Sequence, residues 1–169
     1  MLDQETERIR RDFEVKTRLE ALKKSQPSLM LESLVSLECY SPNNWFLIHF
    51  NNLTRVLPKE KTEDYRLAAS WIIEEGLYKS DQQEDGAMTI SFKSLDRKGH
   101  YLQAVNGLNI ALNKIEKGNL LASREATFIL RKGLVDNSLF SFELMNKPKH
   151  YLRYEDGTLV PKLLQDNNF

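Results

Sequence analysis

Between Leu34 and Phe169 one strand-turn-strand pattern recurs three times at fixed internal spacing, and no other feature constrains the fold as tightly. Val35-Ser36-Leu37-Glu38 is matched by Ile90-Ser91-Phe92-Lys93 and by Phe140-Ser141-Phe142-Glu143. A polar turn follows each, and then a second run: Trp45-Phe46-Leu47-Ile48, His100-Tyr101-Leu102-Gln103 and His150-Tyr151-Leu152-Arg153. Leu37 to Leu47, Phe92 to Leu102 and Phe142 to Leu152 are each ten residues apart, so one turn length serves all three copies. The first two copies also share an ending, Trp71-Ile72-Ile73-Glu74-Glu75-Gly76-Leu77 against Phe128-Ile129-Leu130-Arg131-Lys132-Gly133-Leu134, whereas the third stops at Phe169. The last strand of that copy is therefore expected to be missing or to lie beyond residue 169.

Short alternating runs punctuated by Pro, Gly, Asn and Asp mark an all-β domain. Copies of about 40 to 55 residues cannot bury their apolar faces singly and must share one core. The expectation is an all-β fold, a β-trefoil over residues 33–169, with repeats at about 33–78, 88–135 and 138–169. Trp71, Phe128 and Phe169 fall at equivalent positions and are expected to form core layers.

Residues 1–28 read differently. Residues 2–25 contain no Gly or Pro, are rich in Glu, Arg, Lys and Leu, and carry a loose apolar stripe of Leu2, Ile9, Phe13, Val15, Leu19 and Leu22. This predicts an α-helical extension ended by Ser25-Gln26-Pro27-Ser28, which docks on the domain or binds a protein partner through residues 1–25.

Charge excludes several function classes. Twenty-four basic residues balance twenty-four acidic ones, so no global field draws the chain to nucleic acid or anionic lipid. Cys39 is the sole cysteine, the three histidines fall in different copies, and no metal-ligand spacing occurs, so neither a metal nor another cofactor is expected. No nucleophile elbow, phosphate loop or dinucleotide turn is present, and the adjacent Glu74 and Glu75 of one strand point to opposite faces, so no catalytic residue is expected. With no apolar run for a signal or a membrane span, the expected location is cytoplasmic, or extracellular if the sequence belongs to a longer secreted protein.

The run Ser141-Phe142-Glu143, Asn146, Pro148, Tyr151-Leu152-Arg153 and Asp166-Asn167-Asn168-Phe169, echoed by Ser91-Phe92, Gly99, Tyr101-Leu102, Asn106 and Glu125-Ala126-Thr127-Phe128, resembles the arabinofuranose-binding (AbfB) module of arabinofuranosidases. The resemblance implies one shallow sugar pocket per repeat, built on a His after Tyr-Leu-Arg and an Asp shortly before the closing Phe. Carboxylate and imidazole together suit a furanose, whose hydroxyls both donate and accept. Carried over, copy one keeps His49 but has Ala68 at the acid position, and copy two has Ala104 with Glu125. Copy three pairs Tyr154 with Asp166, beside Tyr151, and is expected to hold the surviving pocket. The expected function is non-catalytic binding of an arabinofuranose-containing glycan; the alternative is a protein-interaction module using a degenerate trefoil and its leader.

Overall fold

The computed structural model describes residues 31–40, 43–79, 87–132 and 139–163, together with the backbone of 13–16. Among these the protein is almost entirely β. The strands are β1 (Phe13–Lys16), β2 (Leu34–Cys39), β3 (Trp45–Phe50), β4 (Leu53–Pro58), β5 (Trp71–Glu75), β6 (Thr89–Ser94), β7 (His100–Val105), β8 (Asn109–Lys114), β9 (Phe128–Lys132), β10 (Phe140–Leu144), β11 (His150–Glu155) and β12 (Thr158–Leu163). Two short helices, α1 (Glu63–Ala68) and α2 (Leu120–Glu125), precede β5 and β9.

Every strand pair is antiparallel, and β2-β3-β4-β8-β7-β6-β5 returns to β2, closing a seven-strand barrel. Closure removes the edges along which sheets would otherwise aggregate. The strands expected around Leu37, Leu47, Phe92, Leu102, Phe142 and Leu152 all form, and these six side chains are buried. Phe92 is the aromatic hinge of the core, edge-on to Phe142 at 5.0 Å and tilted against Phe128 at 5.7 Å between ring centroids. Trp71 and Phe128 are fully buried as expected; Phe169 lies outside the described residues.

Three hairpins, β3–β4, β7–β8 and β11–β12, meet at the core. Their turns need left-handed backbone, supplied by Asn51, by Asn106-Gly107 and by Asp156-Gly157. Turns and strands are tied together: the Val56 N–H donates to the Gly157 carbonyl and the Leu112 N–H to the Asn52 carbonyl, both at 2.9 Å. The corresponding residue of β12 is Pro161, which has no N–H, and the Gly107 carbonyl accepts from Lys147 Nζ at 3.2 Å instead.

The ten-residue spacing has a visible cause. In copies one and three a buried carboxylate reaches over the turn: Glu38 accepts from the Asn44 N–H and Glu143 from the Lys149 N–H, each at 2.8 Å. Asn44 and Lys149 sit at positive φ, and Gly99 does so in copy two. There Lys93 replaces the glutamate and pairs with Glu74, whose other oxygen accepts from the Tyr101 hydroxyl at 2.7 Å. His100 and His150 both place Nδ1 3.0 Å from the carbonyl two residues earlier, which assigns them to turn geometry.

The leader is where expectation and structure part. Helix was expected over 2–25, but Phe13–Lys16 is a strand on β2; the rest lies outside the described residues. Intrinsic helix propensity is a weak preference, and pairing with a strand edge, which satisfies the backbone groups of both partners, overrides it.

Candidate functional site

A cleft of about 500 Å³ opens between the end of β3, helix α1 and the turn joining β6 to β7. Its floor is His49, with Phe50 and Asn51 beside it; α1 and the segment before it contribute Glu60, Thr62, Asp64, Tyr65 and Ala68, and the turn contributes Asp96 and Arg97. Each wall has a local reason to stand where it does. Thr62 caps α1 by accepting from the Tyr65 N–H at 3.2 Å, and Glu63 and Asp64 suit the helix's positive end. Tyr65 anchors α1 to β4 by donating its hydroxyl to the Leu57 carbonyl at 3.0 Å, and burial pushes that phenol well above its ordinary range. Across the cleft, Ser94 Oγ accepts from the N–H groups of Asp96 and Arg97, which fixes the turn.

His49 is the group with unused chemistry. It is 6 % exposed and edge-on to Trp71, and among the described residues neither ring nitrogen makes a well-aligned hydrogen bond, although Asn51 and Asp96 lie against the ring. Nε2 lies 3.2 Å from Asp96 Oδ2, close enough for an ion pair but not aligned as a hydrogen bond. Burial lowers the imidazole's pKa below its ordinary value despite the opposing pull of Asp96, so near pH 7 the ring is neutral, with one donor and one acceptor. A buried polar group whose hydrogen bonds are poorly aligned gains stability when a ligand completes them. Among the described residues no cluster of His, Cys, Asp and Glu fits a metal ion.

The acid of copy two has partners within the protein. Glu125, 5 % exposed at the end of α2, accepts from Gln103 Nε2 and from the Asn106 N–H, both at 2.7 Å. Gln103 in turn accepts from Asn113 Nδ2 at 3.0 Å. Weaker 3.4 Å contacts join Asn113 to Asn52 and Asn52 to Arg97, so a file of amides pointing one way runs from the cleft to the buried carboxylate.

In copy three, Tyr151 is buried, and that burial raises its phenol. Tyr154 is half-buried, packed on the core and edge-on to Trp45 at 6.5 Å. Asp166 lies outside the described residues, so the expected Tyr154–Asp166 pair has no geometry to report. Of the five sequence-derived site residues, His49 lines the cleft and Glu125 is held inside the protein. Asp64 and Asp96 line the cleft beside Ala68. Comparing each copy only with its counterparts hides Asp96, because it comes from the next copy's turn.

The alpha-L-arabinofuranosidase B (ABFB) domain profile matches residues 35–167, and the chain belongs to that family. Among solved structures, an arabinofuranosidase complexed with arabinofuranosyl-α-1,2-xylobiose is similar at a TM-score of 0.69 and 21% identity, covering 82% of this chain and 28% of that one. A GH54 α-L-arabinofuranosidase soaked with a cyclic sulfate inhibitor matches at 0.70 and 22%, covering 86% and 30%. A GlcNAcα1-4Gal-releasing endo-β-galactosidase from Clostridium perfringens matches at 0.51 and 16%, covering 93% and 30%. The chain thus spans less than a third of these proteins, and the likeness is one of fold. No curated protein sequence matches.

Proposed function

We propose that this chain is a non-catalytic β-trefoil carbohydrate-binding module that holds an arabinofuranose-bearing glycan in the His49 cleft. Family membership supports the sugar, since the ABFB domain belongs with arabinofuranosidases. The observation that carries the site is the buried imidazole on the floor of an open cleft walled by carboxylates, close to Asp96 but without a well-aligned hydrogen bond among the described residues. Asp96 accepts from sugar hydroxyls, His49 both donates and accepts, and Phe50, 52 % exposed at the rim, offers an apolar ring to the sugar's C–H face. Asp64, one turn before Ala68 on α1, supplies the acid that position 68 lacks.

Charge sets the specificity. Glu60, Asp64 and Asp96 outnumber Arg97, and His49 is neutral, so the cleft repels uronates and favours uncharged pentose. In this reading copy two is a closed scaffold, and Tyr151, Tyr154 and Asp166 of copy three form a secondary subsite.

The test is retention on arabinoxylan against unsubstituted xylan by affinity electrophoresis, with His49→Ala checked for folding by circular dichroism. The chain should be retarded by arabinoxylan alone, and His49→Ala should bind about ten-fold more weakly, the value of one or two sugar hydrogen bonds. Equal retardation of a folded His49→Ala, or none of the parent chain, would refute the assignment.

A further inference from the structure

We propose that the leader strand β1 is the fourth strand of the third copy, delivered from the N-terminal side, and that the slot between β2 and β10 is a strand-acceptor site filled by residues 13–16 of the same chain. This rests on the threefold arrangement above but not on sugar binding.

In copy one the fourth strand, β5, pairs with its own first strand β2 and with the next first strand, β6. In copy two, β9 pairs with β6 and β10. By the same rule copy three needs a strand between β10 and β2. β1 lies there, paired antiparallel with β2 and in contact with β10.

Register makes the correspondence residue by residue. Trp71 opposes Ser94 and Phe128 opposes Leu144, each two residues past Phe92 and Phe142. Two residues past Leu37 is Cys39, and the residue opposite it is Phe13. Phe13 therefore takes the register position of Trp71 and Phe128, and Val15, opposite Leu37, takes that of Ile73 and Leu130. Phe13-Glu14-Val15-Lys16 thus repeats the aromatic–x–aliphatic order of Trp71-Ile72-Ile73 and Phe128-Ile129-Leu130. A strand that arrives on a separate leader is joined to its site by a main-chain ladder, the mode by which sheets accept donor strands.

The test places cysteines at the directly opposed Lys16 and Ser36 of the full chain, in a Cys39→Ser background. Antiparallel partners lie within disulfide reach, whereas a neighbour one residue along the strand points to the other face. On mild oxidation, K16C/S36C should form an intramolecular disulfide at least ten-fold faster than V15C/S36C, giving a faster-migrating monomer on non-reducing gels. Failure to cross-link, or equal rates in both pairs, overturns the placement. A disulfide-linked dimer overturns the assignment to the same chain and gives the slot to a second copy's leader. Because the readout contains no sugar, its outcome is independent of the glycan-binding test.

Discussion

Replacing Glu125 by alanine should unfold the protein more readily without touching the proposed sugar site. The carboxylate accepts two 2.7 Å hydrogen bonds in a 5 % exposed position. Hydrogen bonds to a charged group are worth about 1.5–3 kcal/mol each, and stranding a buried donor forfeits that contribution. The Asn106 N–H has no ready substitute, because its backbone is fixed at φ 55° in the β7–β8 turn. Gln103 keeps its bond from Asn113, so part of its loss relaxes. The expected cost is about 3–5 kcal/mol, or about 10 °C in Tm for a domain of this size. Glu125→Gln should cost about 2 kcal/mol, because one amide oxygen cannot accept from both donors unless Gln103 and Asn113 flip together. Urea denaturation of both variants measures this, beside arabinoxylan retention under folded conditions. A loss below about 1 kcal/mol for Glu125→Ala, or lost retention by a fully folded variant, would show that the carboxylate serves a ligand and not the fold.

Other expectations follow from the same packing. A Cβ at Gly76 would lie 2.7 Å from Thr127 Cγ2 and 2.8 Å from Thr89 Oγ1, both on stiff β-branched side chains, so Gly76→Ala should cost about 1–3 kcal/mol by urea melt. Because burial lowers the His49 pKa, the unfolded chain binds more protons than the native one in mild acid. The His49 contribution to stability is thus complete above the unfolded value of about 6.5 and is lost as pH falls from there through the native value, and His49→Gln should flatten the stability profile between pH 7 and 5. The Cys39 thiol is fully buried and its pKa raised, first by burial and then by Glu38, so a thiol reagent should label it only on unfolding.

The framework was legible because it rests on short-range pattern. Alternation and turn residues located the strands around Leu37, Leu47, Phe92, Leu102, Phe142 and Leu152, and equal spacing registered the copies before any contact was known. The helices α1 and α2 were harder to see, since six residues give little periodicity, although Thr62 with Glu63-Asp64 and Asn119 carry the capping signal. Longer-range facts were not legible. Glu125 occupies a ligand-binding position in the resemblance, and only the fold brings Gln103 and the Asn106 N–H onto its carboxylate. Asp96 reads as a turn residue until its turn is brought against His49. The leader misled because charge-rich, Gly-free sequence favours helix in isolation, while the open edge of β2 exerts a preference that resides in another part of the chain.

The central claim is most directly tested by following the imidazole signals of the isotope-labelled chain during titration with methyl α-L-arabinofuranoside. His150 provides an internal control, since it opens β11 and is not among the cleft residues, whereas the His100 N–H donates to the carbonyl of the cleft residue Arg97 at 3.1 Å. The His49 resonances should move saturably with added sugar while those of His150 stay in place. A His49 signal that stays fixed through tens of millimolar sugar, or that moves only together with that of His150, would contradict the site.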